Sequence, residues 1–156
     1  MALKSDRYEF QTDISFFYNA GTATRGGVVV HDTTAGSGAS MDQGVNLVKY
    51  AQVTAASRPV GVLLNDVVNK DLTRTHLNWH KNEVQKGGKV TVLRKGYVVT
   101  NSVTGTPVAG DPAYACHVNA GNFRPDSPGN SGVLQVGRFL SSKDEDGYAK
   151  VEVNLP

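Results

Sequence analysis

Cysteine is almost missing from this 156-residue chain, Cys116 being its single example. No internal disulfide can form, which points to folding in the cytosol. Its neighbour is His117; on a strand the two side chains leave on opposite faces, against a Cys–His catalytic dyad and for a half-buried structural thiol. An excess of one charge is missing too: 16 basic and 14 acidic side chains give a formal +2, too balanced to argue for nucleic-acid binding. Long apolar runs are absent. "ISFF" at 14–17 is far too short to span a bilayer. Lys4, Asp6, Arg7 and Glu9 stand where a signal peptide needs its apolar core. Nor does any sustained 3.6-residue stripe appear, leaving room for at most one short helix, near 69–86, stopped by the glycines that follow.

Glycine, by contrast, is plentiful. The 17 glycines recur at short intervals, the pattern of many turns and an all-β fold. With 39% hydrophobic and 19% charged residues the chain reads as globular, and its length suits one core. Residues 1–24 read as an N-terminal arm, polar but studded with Tyr8, Phe10, Phe16, Phe17 and Tyr18. Such an arm either folds back on its own sheet or adds a strand to a neighbour's edge; both courses are open. Residues 25–156 read as the main β domain. In it, "VGVLL" at 60–64 is a buried strand and "GGKVTVLRKGYVVTN" the clearest strand signal, with Gly96 allowing a bulge or bend. "NAG" at 119–121 marks a hairpin tip. A closing hairpin joins "GVLQVGRFLSS" to "YAKVEVNL" through Asp146-Gly147, with Ala149, Val151, Val153 and Leu155 alternating against Lys150, Glu152 and Asn154. The expected fold is a compact β-barrel or sandwich of short antiparallel strands with an extended N-terminal arm.

The chemical candidates are few. "HLNWHKNEVQKGG" at 76–88 sets His76 and His80 four apart, with Glu83 a turn on. A zinc protease helix needs glutamate directly after the first histidine, to activate water, and Leu77 stands there instead. Trp79 between the histidines suggests packing. "SPGNSG" at 127–132 resembles the serine loop of chymotrypsin-like proteases, with Ser131 as nucleophile and flanking amides as an oxyanion hole, and His31-Asp32 lies upstream as that chain order requires. Against it stand the short chain, the missing "Ala-Ala-His-Cys" surroundings for the histidine, and a context in which Gly-Asn-Ser-Gly is ordinary turn chemistry. Asp144, Glu145 and Asp146 fit a charged hairpin tip better than a calcium loop. Lys81, Lys86, Lys89, Arg94 and Lys95 form a basic stretch, either a solvated face or a patch meeting an acidic protein surface. Together these lead to the expectation of no enzyme, no cofactor and no metal.

"GVLLNDVVNKDLTRTHLNWHKNEVQKGGKVTVLRKGYVVTN", then "AGDPAY" and "VGRFLSSKDEDGYAKVEVNL", resembles the head decoration (cement) proteins of tailed bacteriophages, over residues 59–156. The resemblance implies a non-enzymatic protein that folds as a compact β-barrel, commonly trimerises, and sits on the outside of the expanded head at local three-fold positions. It implies the major capsid protein and further copies of itself as partners, neither nucleic acid nor membrane, and a place on the virion after synthesis in the host cytoplasm. Under it, Tyr8, Phe10, Phe16 and Phe17 of the arm become capsid- or subunit-interface candidates, as do Arg74, His76, Trp79 and Lys81 of a connecting segment. The alternatives are the small serine protease built on Ser131 and a β-barrel binding module for carbohydrate or another partner.

Overall fold

The computed structural model describes residues 3–21, 23–33, 46–54, 56–66, 83–84, 86–126 and 133–156. Among them there are strands and turns but no helix. Of the stretch where a short helix had room, 69–82 lies outside the described residues, whereas Glu83–Val84 is strand and Lys86-Gly87 a turn.

The longest strands organise the rest. Strand β7 (Lys89–Thr100) pairs along one edge, antiparallel, with β1 (Leu3–Tyr18). Its other edge is divided. Strand β5 (Pro59–Asp66) takes Val90 to Leu93, and β11 (Ala149–Asn154) takes Lys95 to Thr100. Two branches leave this fork. One runs from β5 through β3 (Val28–His31) to β4 (Leu47–Lys49), which meets the end of β1 in parallel at Phe17 and Tyr18 and so closes a ring. The other runs from β11 through β10 (Gln135–Phe139) and β8 (Pro112–Ala115) to β9 (Phe123–Arg124). A bridge from Phe123 to Val103 ties its far end back to the chain just beyond β7. A small separate pair joins β2 (Ala23–Thr24) to β6 (Glu83–Val84).

Two apolar cores explain the sequence pattern. Val28, Val30, Val62 and Leu64 face one, together with Phe123, Phe139, Val151 and Val153. Val29, Val60 and Leu63 face the other, with Phe16, Tyr18, Val48, Val90 and Val92. Strands β3 and β5 therefore lie between two cores and are apolar on both faces, which is why "VVV" and "VGVLL" do not alternate. Strand β11 has one buried face, and there Ala149, Val151 and Val153 alternate with outward Lys150, Glu152 and Asn154. Phe123 and Phe139 meet edge-to-face at 6.5 Å within the larger core. Each such ring contributes roughly 1.5–3 kcal/mol by leaving water.

The all-β expectation holds, with two differences. β1 and β7, at 16 and 12 residues, are not short, and the β1–β4 pair is parallel. Length follows from irregularity: β1 changes register against β7 at four places, and each extra residue adds twist that lets a long strand coil around the barrel. Gly96 sits at one of these places with φ +142°, and a β-carbon there would run into the Tyr8 carbonyl. Only glycine fits so close a crossing.

Candidate docking surface

Strand β1 is buried at its ends and bare in its middle. Leu3, Phe16 and Tyr18 enter the cores, while every residue from Tyr8 to Thr12 is exposed. Consecutive exposure within a strand means that both faces are open to solvent, so no second layer covers this stretch. On its second edge, between Leu3 and Phe16, no strand pairs with β1 among the described residues. Polar contacts fasten it instead. The Lys4 ammonium lies 3.1 Å from an Asp144 carboxylate oxygen and 4.2 Å from the Tyr148 ring centre, tying the start of β1 to the closing hairpin. Further along, Asp13 accepts the Ser15 hydroxyl at 2.6 Å and faces Arg94 at 3.7 Å.

Those contacts tune the acids. The Ser15 hydroxyl, the Ser15 amide and the Arg94 charge hold the Asp13 carboxyl below its usual range, with burial opposing them. Asp144 is likewise lowered, first by the Tyr148 amide and then by the Lys4 side chain. Both stay ionised at neutral pH, so the strand's ties are charge-assisted.

An aromatic row crosses from β1 onto β7. Phe10 lies 6.4 Å from Tyr8, and Tyr8 6.1 Å from Tyr97 of β7, all at low interplanar angles. The Lys150 ammonium of β11 sits 3.9 Å over the Tyr97 ring. Tyr8 is 54% and Phe10 70% exposed, and Ile14 adds a third exposed apolar side chain at 53%. A groove runs beside the row over Gly96, walled by Tyr8 and Phe10 on one side and Val153 and Asn154 on the other. At its rim Glu152 is held by Arg138 at 3.3 Å.

The interface candidates from the sequence divide accordingly. Tyr8 and Phe10 come together at the surface, Phe17 is half-buried, and Phe16 is a core residue packed edge-on against His31 at 5.6 Å. Arg74, His76, Trp79 and Lys81 lie outside the described residues, as do His80 and Ser131. At His31, the histidine of the protease reading, burial and then the Arg94 charge lower the pKa, and next to it the buried Asp32 carboxylate binds Lys49 at 2.9 Å and Asn19 at 2.8 Å. Cys116 is fully buried, its sulfur accepting the Val118 and Asn119 amides, while His117 Nδ1 meets Arg124 at 2.9 Å. Among the described residues no three His, Cys, Asp or Glu side chains gather as a metal would require. Sequence reasoning missed Tyr97, Gly96, Lys150 and Asn154 as members of one surface. Outward alternation along β11 was a signal for Lys150 and Asn154, but only the β1–β7 register brings Tyr97 to Tyr8.

Fold and surface thus define a two-core β protein that displays one aromatic strand at its surface. A family model described as structural cement protein (E217 gp24/Pam3 gp6), a phage family, matches residues 5–154, and the chain belongs to that family. No curated protein matches it by sequence. Membership gives the chain a structural role in the phage capsid, association with capsid components and a place in the virion.

Proposed function

We propose that the protein binds the outer surface of the mature phage head as trimers at local three-fold positions. There it bridges neighbouring major capsid subunits and holds the head against the outward push of packaged DNA. The observation that carries this reading is the family match across residues 5–154 of a chain whose first strand exposes Tyr8 and Phe10. Exposed aromatics make good interface anchors, because a rigid ring removes much apolar area from water at little cost in side-chain freedom. A trimer engaging several subunits needs only weak contacts per copy, since linked contacts raise avidity by orders of magnitude. Binding the expanded lattice more tightly than its precursor stabilises the expanded state by that difference in affinity. Phe16 serves by fixing the arm's course, Phe17 lines its base, and Arg74, His76, Trp79 and Lys81 form a second contact to capsid or neighbouring copy.

Heads assembled without this protein supply the test. Added protein is expected to sediment with expanded heads, not with unexpanded precursors, and to raise the temperature at which filled heads release DNA. Binding without any gain in heat resistance would leave a passenger rather than a cement.

A further inference from the structure

The groove over Gly96 has a chemistry distinct from the aromatic row beside it. It encloses about 290 Å³, room for a large side chain and little more, and its lining is completed by Lys95, Tyr97 and Glu152. Gly96 forms part of its floor, and the φ of +142° with the Tyr8 carbonyl crossing close by leaves no room there for a side chain. Charge at the rim is one-sided. Glu152 is taken by Arg138, and Glu9, opposite Gly96 in register, is taken by Arg7. Lys95 has no acidic partner among the described residues, and Lys150 rests on the Tyr97 ring instead of a carboxylate. Lys95, opposite Asn154, lines the groove itself, and the Lys150 ammonium lies over Tyr97, another of its lining residues.

We infer that this groove is a socket for one apolar side chain from an acidic segment of the capsid subunit. The side chain enters over Gly96 between Phe10 and Asn154, and carboxylates flanking it in sequence pair with Lys95 and Lys150. The charge pattern decides the occupant: a basic segment would set like charges against both lysines, whereas an acidic one finds them unspent. The site is also ready before binding, because stacking on Tyr97 already restrains Lys150. The inference rests on the capsid-docking reading and supplies its partner's chemistry. It also gives the basic run at Lys89, Arg94 and Lys95 a purpose, with Arg94 turned to Asp13 and Lys95 left for the partner.

The test uses heads lacking this protein and three full-length variants. K95E/K150E reverses the rim charge, N154W fills the groove from an exposed position, and K86E reverses a charge on the turn before β7. Each is first checked for a wild-type urea midpoint. K95E/K150E is expected to bind heads about tenfold or more weakly and with a shallower salt dependence. N154W is expected to lose a similar factor with its salt dependence kept, and K86E to bind as wild type does. Either K95E/K150E or N154W binding as tightly as wild type, or K86E falling as far as K95E/K150E, overturns the inference. Wild type failing to bind heads at all sinks the docking reading itself, a separate result.

Discussion

Phe10 and Phe16 are the same residue type on the same strand, and the structure gives them opposite surroundings. Phe16 is 6% exposed, among Tyr18, Val29, Val48 and Val90. Phe10 is 70% exposed beside Tyr8. Truncating a buried phenylalanine costs about 3–5 kcal/mol, and Phe16, near the end of its strand, belongs at the lower end because neighbours can partly close the gap. With a urea dependence of roughly 2 kcal/mol per molar, a loss of about 3 kcal/mol lowers the midpoint by about 1.5 M. Phe10→Ala, a surface change, should stay within about 0.5 kcal/mol, or roughly 0.25 M. Head binding should rank the pair the other way. Losing an aromatic anchor costs about 2 kcal/mol, some 30-fold (order of magnitude), for Phe10→Ala. Phe16→Ala, assayed where it is folded, should bind within a few-fold of wild type. Urea unfolding followed by circular dichroism, with co-sedimentation on heads, reads both. The reasoning fails if Phe10→Ala shifts the midpoint as far as Phe16→Ala, or if Phe16→Ala leaves it in place.

Gly96→Ala forces a side chain into a left-handed backbone position and against the Tyr8 carbonyl, and should lower stability by at least about 1–3 kcal/mol in the same assay. Tyr50→Phe removes a hydroxyl that accepts the Gly27 amide at 3.0 Å and donates to the Thr24 carbonyl at 2.7 Å; a loss of about 1–2 kcal/mol is expected, and no change would mean that these bonds are replaced by water. Since the folded Asp144 carboxyl lies below its unfolded value, its contribution is present above about pH 4 and disappears as pH falls through the folded pKa. Urea midpoints measured from pH 6 to pH 2 should thus fall less steeply in Asp144→Asn than in wild type, and parallel curves would contradict the Tyr148 and Lys4 contacts. Cys116, wholly buried, should resist thiol reagents in the folded protein and react at once in urea; rapid labelling of native protein would place it wrongly.

Local chemistry was legible in the sequence and long-range pairing was not. The closing hairpin followed from alternation, with Ala149, Val151, Val153 and Leu155 all buried and Gly147 at φ +81° in its turn. "NAG" at 119–121 lies in the loop between β8 and β9, with Gly121 at φ +82°. Gly96 was visible as a break in a strand, since only a crossing or bulge calls for glycine between two β-rich runs. That β7 would share one edge between β5 and β11 was not visible, because such a fork depends on partners 24–31 and 49–59 residues away and leaves no local pattern. The arm shows the same limit. Its aromatics were conspicuous, but burial of Phe16 and exposure of Phe10 depend on bulges that shift β1 against β7, and a bulge breaks the two-residue period by which faces are read.

The proposed function puts this chain on the outside of the expanded phage head. The most direct measurement is a cryo-electron microscopy map of heads lacking the protein, taken before and after its addition at saturating concentration. The account predicts new density on the outer surface at local three-fold positions, shaped as three copies, with β1 and its Phe10 side against the capsid shell. Density inside the shell, density only at another symmetry position, or maps that do not differ would contradict it.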